Sequence, residues 1–155
     1  MLSSAAGAGS KSFVGGADIN ELNELNEETS RDFITCLHEL FVLIRKIKVP
    51  TIARVNGFSL GAGMELAAAC DIRIASDAAV FGMPEVKVGV PSVIEAALLP
   101  RLIGWGRTNY LVLTGENIDA KTAYEWGFVE KISETNNLDK EIDHLTDIIA
   151  NCGPL

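Results

Sequence analysis

The stretch Asn56-Gly57-Phe58-Ser59-Leu60-Gly61-Ala62-Gly63-Met64-Glu65-Leu66-Ala67-Ala68-Ala69-Cys70-Asp71 decides the fold. Just upstream, Thr51-Ile52-Ala53-Arg54-Val55 reads as a buried strand, and Asn56-Gly57 marks a turn. Met64 to Cys70 is rich in helix formers. A strand therefore feeds a glycine-rich turn and then a helix N-terminus. Backbone N–H groups there lack intrahelical partners and can point at an anion. Gly61 and Gly63 allow close approach of a ligand, so the Ala62 N–H is a candidate oxyanion donor. Glu65 falls in the first helical turn, where the helix dipole favours its ionised form. An ionised carboxylate beside oxyanion donors suits proton transfer on a carbonyl compound. Glycines before a helix are also common packing devices, and a first-turn Glu is common capping chemistry. A dinucleotide-binding turn fits less well, because its third small position falls on the bulky Leu66.

Outward from this stretch, short strands and helices alternate. Asp18-Ile19-Asn20-Glu21 reads as a capping box opening a short helix, and Asn26, Thr29 and Ser30 are candidate caps for a second. Phe33, Leu37, Leu40, Phe41, Ile44 and Ile47 recur at helical spacing until Pro50 stops the pattern. Asp71 to Ala75 and Ala79-Val80-Phe81 read as strands. Pro91-Ser92-Val93-Ile94-Glu95 carries a second capping-box signature opening a helix through Leu99. Helices follow over Arg107 to Leu113 and from the cap Asp119 to Gly127, then a short strand beginning at Phe128-Val129. A last helix runs from Leu138 to Ala150. Residues 3–17 are small and glycine-rich without apolar period. They could pass for part of a transit peptide, and the better expectation is a loop. The class is α/β with parallel-type connections, and with no linker or tandem repeat in the sequence, residues 1–155 are expected to form a single domain.

Composition narrows the chemistry. The 155 residues are 48% hydrophobic and 22% charged, an ordinary globular mixture able to bury a core. A net charge of −8 repels phosphate backbones, which argues against nucleic acid as a partner. No apolar run is long enough for a membrane span. Cys36, Cys70 and Cys152 are widely spaced and the only histidines are His38 and His144, so neither a disulfide framework nor a structural metal site is expected.

Two further segments carry candidate chemistry. In Phe13-Val14-Gly15-Gly16-Ala17-Asp18, a flexible turn again feeds a capped helix, and the Ala17 N–H could be a second donor while Asp18 reads as an N-cap. In Phe81-Gly82-Met83-Pro84-Glu85, a carboxylate beside Phe81, Met83 and Val86 could be partly desolvated, with a raised pKa suited to proton donation; a surface glutamate is the commoner case.

Taken together, GGADI, NGFSLGAGMELAAACDIRIAS and FGMPEVKVG resemble the crotonase (enoyl-CoA hydratase/isomerase) superfamily in order and spacing. LLPRLIGWGR and LTGENIDAKTAYEWGFVEKI extend the resemblance over essentially the whole chain. It implies a ββα spiral and chemistry on an acyl-CoA thioester, with coenzyme A as part of the substrate and no separate cofactor or metal. It assigns the oxyanion hole to the N–H groups of Ala17 and Ala62, general-base catalysis on water to Glu65, and the acid at the α-carbon to Glu85. Ala17, Asp18, Ile19, Asn20 and Ala62 would bind the substrate. The full-length form would be a homo-trimer or hexamer in the cytoplasm or the mitochondrial matrix, without nucleic-acid or membrane partners.

Three departures stand beside this resemblance. Ala62 replaces a frequent glycine. Pro91 to Ala97 replaces the usual glycine-rich run after the second glutamate, as in hydratase/carnitine racemase-like members, with Glu95 a capping residue or a further carboxylate near the site. The chain also lacks the family's flanking N- and C-terminal regions, so the spiral is expected to be truncated at both ends, with apolar surface left over residues 92–113 and 138–150. Hydration of an enoyl thioester is the first expectation. Dehydration, racemisation or isomerisation is the nearest alternative, and an inactive fragment serving as an interaction module is another.

Overall fold

The computed structural model describes residues 3–153. The chain repeats one unit: two short strands, then helix. The first unit is β1 (Ser3–Ala6), β2 (Ser12–Val14), α1 (Ile19–Glu24) and α2 (Glu27–Arg45). The second is β3 (Thr51–Val55), β4 (Phe58–Leu60) and α3 (Ala62–Ala69). The third is β5 (Ile72–Ser76) and β6 (Val80–Gly82), followed by 3-10 turns at Pro84–Val88 and Ala96–Leu98 and then α4 (Leu99–Ile103) and α5 (Trp105–Thr114). β7 (Asn117–Asp119), α6 (Ala120–Glu125), β8 (Lys131–Ser133) and α7 (Leu138–Ala150) complete it.

Each unit gives its first strand to one sheet and its second to another. The sheets run β1-β3-β5-β8 and β2-β4-β6-β7. All pairings are parallel except β6 with β7. This is the ββα spiral, and the repetition lies in the backbone while the sequences of the units differ. The core between the sheets and helices is built on Phe41, Phe81, Phe128, Met64 and Leu111, all buried. Each such side chain contributes about 1.5–3 kcal/mol by leaving water.

Three expectations need correction. Residues 3–17 are not simply a loop, because β1 pairs in register with β3 from Ser3↔Thr51 to Ala6↔Arg54, and β2 pairs with β4. Main-chain hydrogen bonding holds this opening segment, so small side chains without apolar period suffice. The strand expected to begin at Phe128-Val129 lies at Lys131–Ser133, while Phe128 is a core residue packed edge-on against Phe81 with ring centroids 5.3 Å apart. Residues 91–95 form no helix; the chain becomes helical only from Ala96. α2 forms where the apolar spacing indicates, with Phe41 of the stripe buried and Leu40 exposed.

The caps behave locally as the sequence indicates. Asn26 and Thr29 form a reciprocal box on α2, and Asp119 accepts from the Thr122 N–H. Asp18 accepts from the Asn20 N–H at 2.8 Å, a single cap rather than a box. Exposed apolar side chains do occur over residues 92–113 and 138–150, with Val93, Trp105, Leu113 and Ile148 facing outward.

Candidate active site

Because β2, β4 and β6 are parallel neighbours, their C-terminal ends reach one edge of the sheet. Each end leads into one of the three segments singled out in the sequence. β2 runs into Gly15-Gly16-Ala17, β4 into Gly61-Ala62, and β6 into Met83-Pro84-Glu85. Crevices outside the carboxyl ends of parallel strands are where such sheets take ligands.

The turns touch each other. Gly16 adopts φ +103°, and a Cβ there would lie 3.2 Å from the Leu60 carbonyl oxygen. Gly61 adopts φ +52°, its N–H donates to the Gly82 carbonyl at 2.9 Å, and a Cβ there would lie 2.2 Å from Glu85 Oε1. Glycine at 61 therefore does two things: it permits the positive φ and makes room for the Glu85 carboxylate against the start of α3.

A cavity of about 430 Å³ opens at this edge, and Ala17, Ala62, Glu65 and Glu85 all line it. The rest of its wall is mainly apolar, supplied by α1, α2 and residues 88–94. Of the other residues expected to bind substrate, Ile19 lines this cavity, Asp18 borders a smaller adjoining cleft, and Asn20 lines neither. Among the described residues, no cluster of three or more His, Cys, Asp or Glu is arranged to hold a metal ion.

Glu65 is 2% exposed. Its Oε1 accepts from the N–H groups of Ala96 at 2.8 Å and Glu95 at 3.0 Å. Burial pushes its pKa up to about 7; the Glu85 and Glu95 charges add to the rise, and the two N–H bonds oppose it. Desolvation thus works against the ionised form that the helix N-terminus favours. Glu85 is also raised by burial, against hydrogen bonds that include one from Ser92 Oγ to its Oε2 at 3.2 Å.

Ser92 and Glu95 are the residues that sequence reasoning placed wrongly. They do not cap a helix. Ser92 binds Glu85, and the Glu95 carboxylate accepts from His38 Nδ1 at 2.6 Å. The alternative of a further carboxylate near the site is the one the structure supports. The Ser-x-x-Glu spacing is a local signal, and here partners distant in sequence claim both side chains.

Residues 5–154 match the family model described as enoyl-CoA hydratase/isomerase. A short-chain-enoyl-CoA hydratase from Clostridium acetobutylicum is 41% identical over 150 residues, covering 96% of this chain and 58% of that protein. A crotonyl-CoA hydratase from Syntrophomonas wolfei gives the same figures of 41%, 96% and 58%. The crystal structure of an enoyl-CoA hydratase from Bacillus anthracis superposes with a TM-score of 0.94 at 36% identity, covering 99% of this chain and 60% of that one. An enoyl-CoA hydratase/carnithine racemase from Magnetospirillum magneticum gives 0.94 at 31% identity, with 99% and 58% covered. The chain belongs to the enoyl-CoA hydratase/isomerase family of the crotonase superfamily. It spans 58% of the length of these two curated relatives.

Proposed function

We propose that this chain carries the active site of an enoyl-CoA hydratase, adding water across the α,β double bond of an acyl-CoA thioester. One observation carries the proposal: two carboxylates from different elements, Glu65 on α3 and Glu85 after β6, line one cavity with Ala17 and Ala62. The two curated relatives described above bear hydratase names, which supports the same choice among family reactions.

In the proposed reaction the N–H groups of Ala17 and Ala62 receive the thioester oxygen as negative charge gathers on it. Donors of this kind are worth about 100- to 1,000-fold in rate each. Glu65 takes a proton from water as its oxygen bonds to the β-carbon. Glu85 delivers a proton to the α-carbon, so the π bond is consumed and water is added in full. A base near neutrality suits Glu65, and burial, which raises the Glu85 pKa, favours the protonated form that its part needs. The apolar wall would take the acyl chain, and residues 17–20 would border the coenzyme A groove, with Asp18 at its smaller cleft. Residues 1–155 are read as one such unit, in the cytoplasm or the mitochondrial matrix. No helix among the described residues is long and apolar enough to cross a membrane. Family-type trimers or hexamers of the full-length form are part of the proposal, supported by the outward-facing Trp105 and Leu113 on α5.

Incubation with crotonyl-CoA in ¹⁸O-labelled water tests this. The expected product is the 3-hydroxyacyl thioester carrying one label. An isomerised or racemised thioester without label would replace hydration by another family reaction, and no conversion at all would remove the proposal.

A further inference from the structure

Glu95 has no part in the proposed proton transfers and does not line the cavity, yet it is 5% exposed. A buried carboxylate is costly unless a partner compensates it. The partner is His38, reaching from the middle of α2 to Glu95 Oε1 at 2.6 Å. On the opposite side, the main chain at Glu95 and Ala96 donates two hydrogen bonds to Glu65 Oε1. The second Glu65 oxygen takes no hydrogen bond from the described residues, and it is not among the sealed, unpartnered buried atoms. Residues 91–95 have neither helix nor strand of their own, so side-chain contacts must hold the segment in place. Among the described residues, two of its own side chains make such contacts, Ser92 with Glu85 and Glu95 with His38, beside the Glu65 carboxylate on the Glu95 N–H.

We propose that Glu95 is a positioning residue for Glu65: His38 fastens its carboxylate to α2, which holds the 95–96 main chain so that Glu65 is fixed through Oε1 and works on water through Oε2. The proposal rests on the assignment of Glu65 as the base. The ionisable groups shown to meet Glu95 are His38 from α2 and Glu65 from α3, and Glu85 from the 3-10 turn after β6 acts on the same Glu65. The Glu95 charge also adds to the rise in the Glu65 pKa, which gives the link a second, electrostatic readout.

Three variants, Glu95→Gln, Glu95→Ala and His38→Ala, test this with two measurements: crotonyl-CoA hydration kinetics, and titration of the Glu65 carboxyl followed by ¹³C NMR and assigned with Glu65→Gln. A misplaced base should lower kcat by about 10- to 100-fold in Glu95→Ala and His38→Ala. Because neither side chain lines the cavity, KM should stay within about twofold. Glu95→Gln keeps the volume and the acceptor for His38, so it should recover most of kcat, while loss of its charge lowers the Glu65 midpoint. Wild-type kcat and an unmoved midpoint in all three variants would overturn the proposal. So would KM rising in step with falling kcat, the mark of a damaged wall. If the alanine variants do not fold, the midpoint in Glu95→Gln decides. The same midpoint decides if even the wild-type chain hydrates nothing: the hydratase assignment then fails, while the coupling of Glu95 to Glu65 is still measured.

Discussion

Arg73 on β5 and Glu65 on α3 are both almost fully buried, at 3% and 2% exposure, yet their surroundings are opposite. Arg73 is satisfied on every side. It donates to the carbonyls of Phe128 at 2.6 Å and Cys70 at 2.9 Å, pairs with Glu130, and lies 5.7 Å over the Phe128 ring. Its charge is neutralised and its donors are used, so it ties β5 to the Phe128–Glu130 segment. Around Glu65 the ionisable groups that act on it are the like-charged Glu85 and Glu95, and among the described residues the compensation comes from two main-chain N–H groups. Stability alone does not explain gathering carboxylates in this way. The first site shows how this fold buries charge for structure. The second gathers like charges at a cavity, the arrangement that the proposed proton transfer would use.

The largest contrast should appear when the two carboxylates are neutralised without change of shape. Glu65→Gln and Glu85→Gln should each keep the fold and bind the thioester, while kcat for hydration falls by at least about 100- to 10,000-fold. Stopped assays on crotonyl-CoA beside circular dichroism would check this. Near-normal turnover in Glu65→Gln would show that the base had been assigned wrongly.

The structural site should respond in stability. Arg73→Met orphans several carbonyls, each costing about 1–3 kcal/mol when left buried, for a total of about 3–5 kcal/mol. Urea denaturation reads this directly. A loss below about 1 kcal/mol would mean that water or the methionine side chain replaces the lost contacts.

Glu65 should show the opposite sign. Its folded pKa is raised from 4.5 to about 7, so across that window the folded chain holds a proton that the unfolded chain has released. Stability therefore falls as pH rises through the window, and the full penalty is reached above about pH 7. Glu65→Gln escapes it. The variant should be more stable than wild type by on the order of 3 kcal/mol near pH 8, with little advantage near pH 4. An advantage of equal size at both values would mean that packing, not ionisation, is responsible.

These two sites also mark how far the sequence could be read. Helices α2, α3, α5, α6 and α7 follow from apolar spacing and caps, because those signals lie within a few residues of one another. The three turns with their glycines were visible for the same reason, and the motif resemblance linked them before any geometry did. β1 was missed because Ser3–Ala6 carries no apolar alternation and becomes a strand only by pairing with β3. Ser92 and Glu95 were misread because a local capping pattern was outcompeted by Glu85 and His38, partners set by tertiary structure. The ionisation of Glu65 escapes the sequence on similar grounds. A helix dipole can be read locally, whereas the burial that opposes it exists only after folding.

The smallest effect, and the one that separates the two sites most finely, is expected at Gly61. An alanine Cβ would stand 2.2 Å from Glu85 Oε1, and φ +52° is a conformation that L side chains rarely adopt. Two costs follow, and they fall on different measurements. Backbone strain at such a φ is worth about 1–3 kcal/mol and lowers stability. The steric clash is with the end of a flexible side chain, so Glu85 can swing away and the fold can survive. Swinging away would take the proposed acid from the α-carbon, and displacement of about 1 Å is enough to cost on the order of 100-fold in rate. Gly61→Ala should therefore fold, lose modest stability, and drop kcat by about 10- to 100-fold. Its loss should be smaller than that of Glu85→Gln, because a displaced acid still samples its position. The double variant Gly61→Ala/Glu85→Gln should then be no slower than Glu85→Gln alone, since the glycine acts through a carboxylate that is no longer there. Losses that multiply in the double variant would show that Gly61 serves the oxyanion turn directly, through the Ala62 N–H, and that making room for Glu85 is secondary.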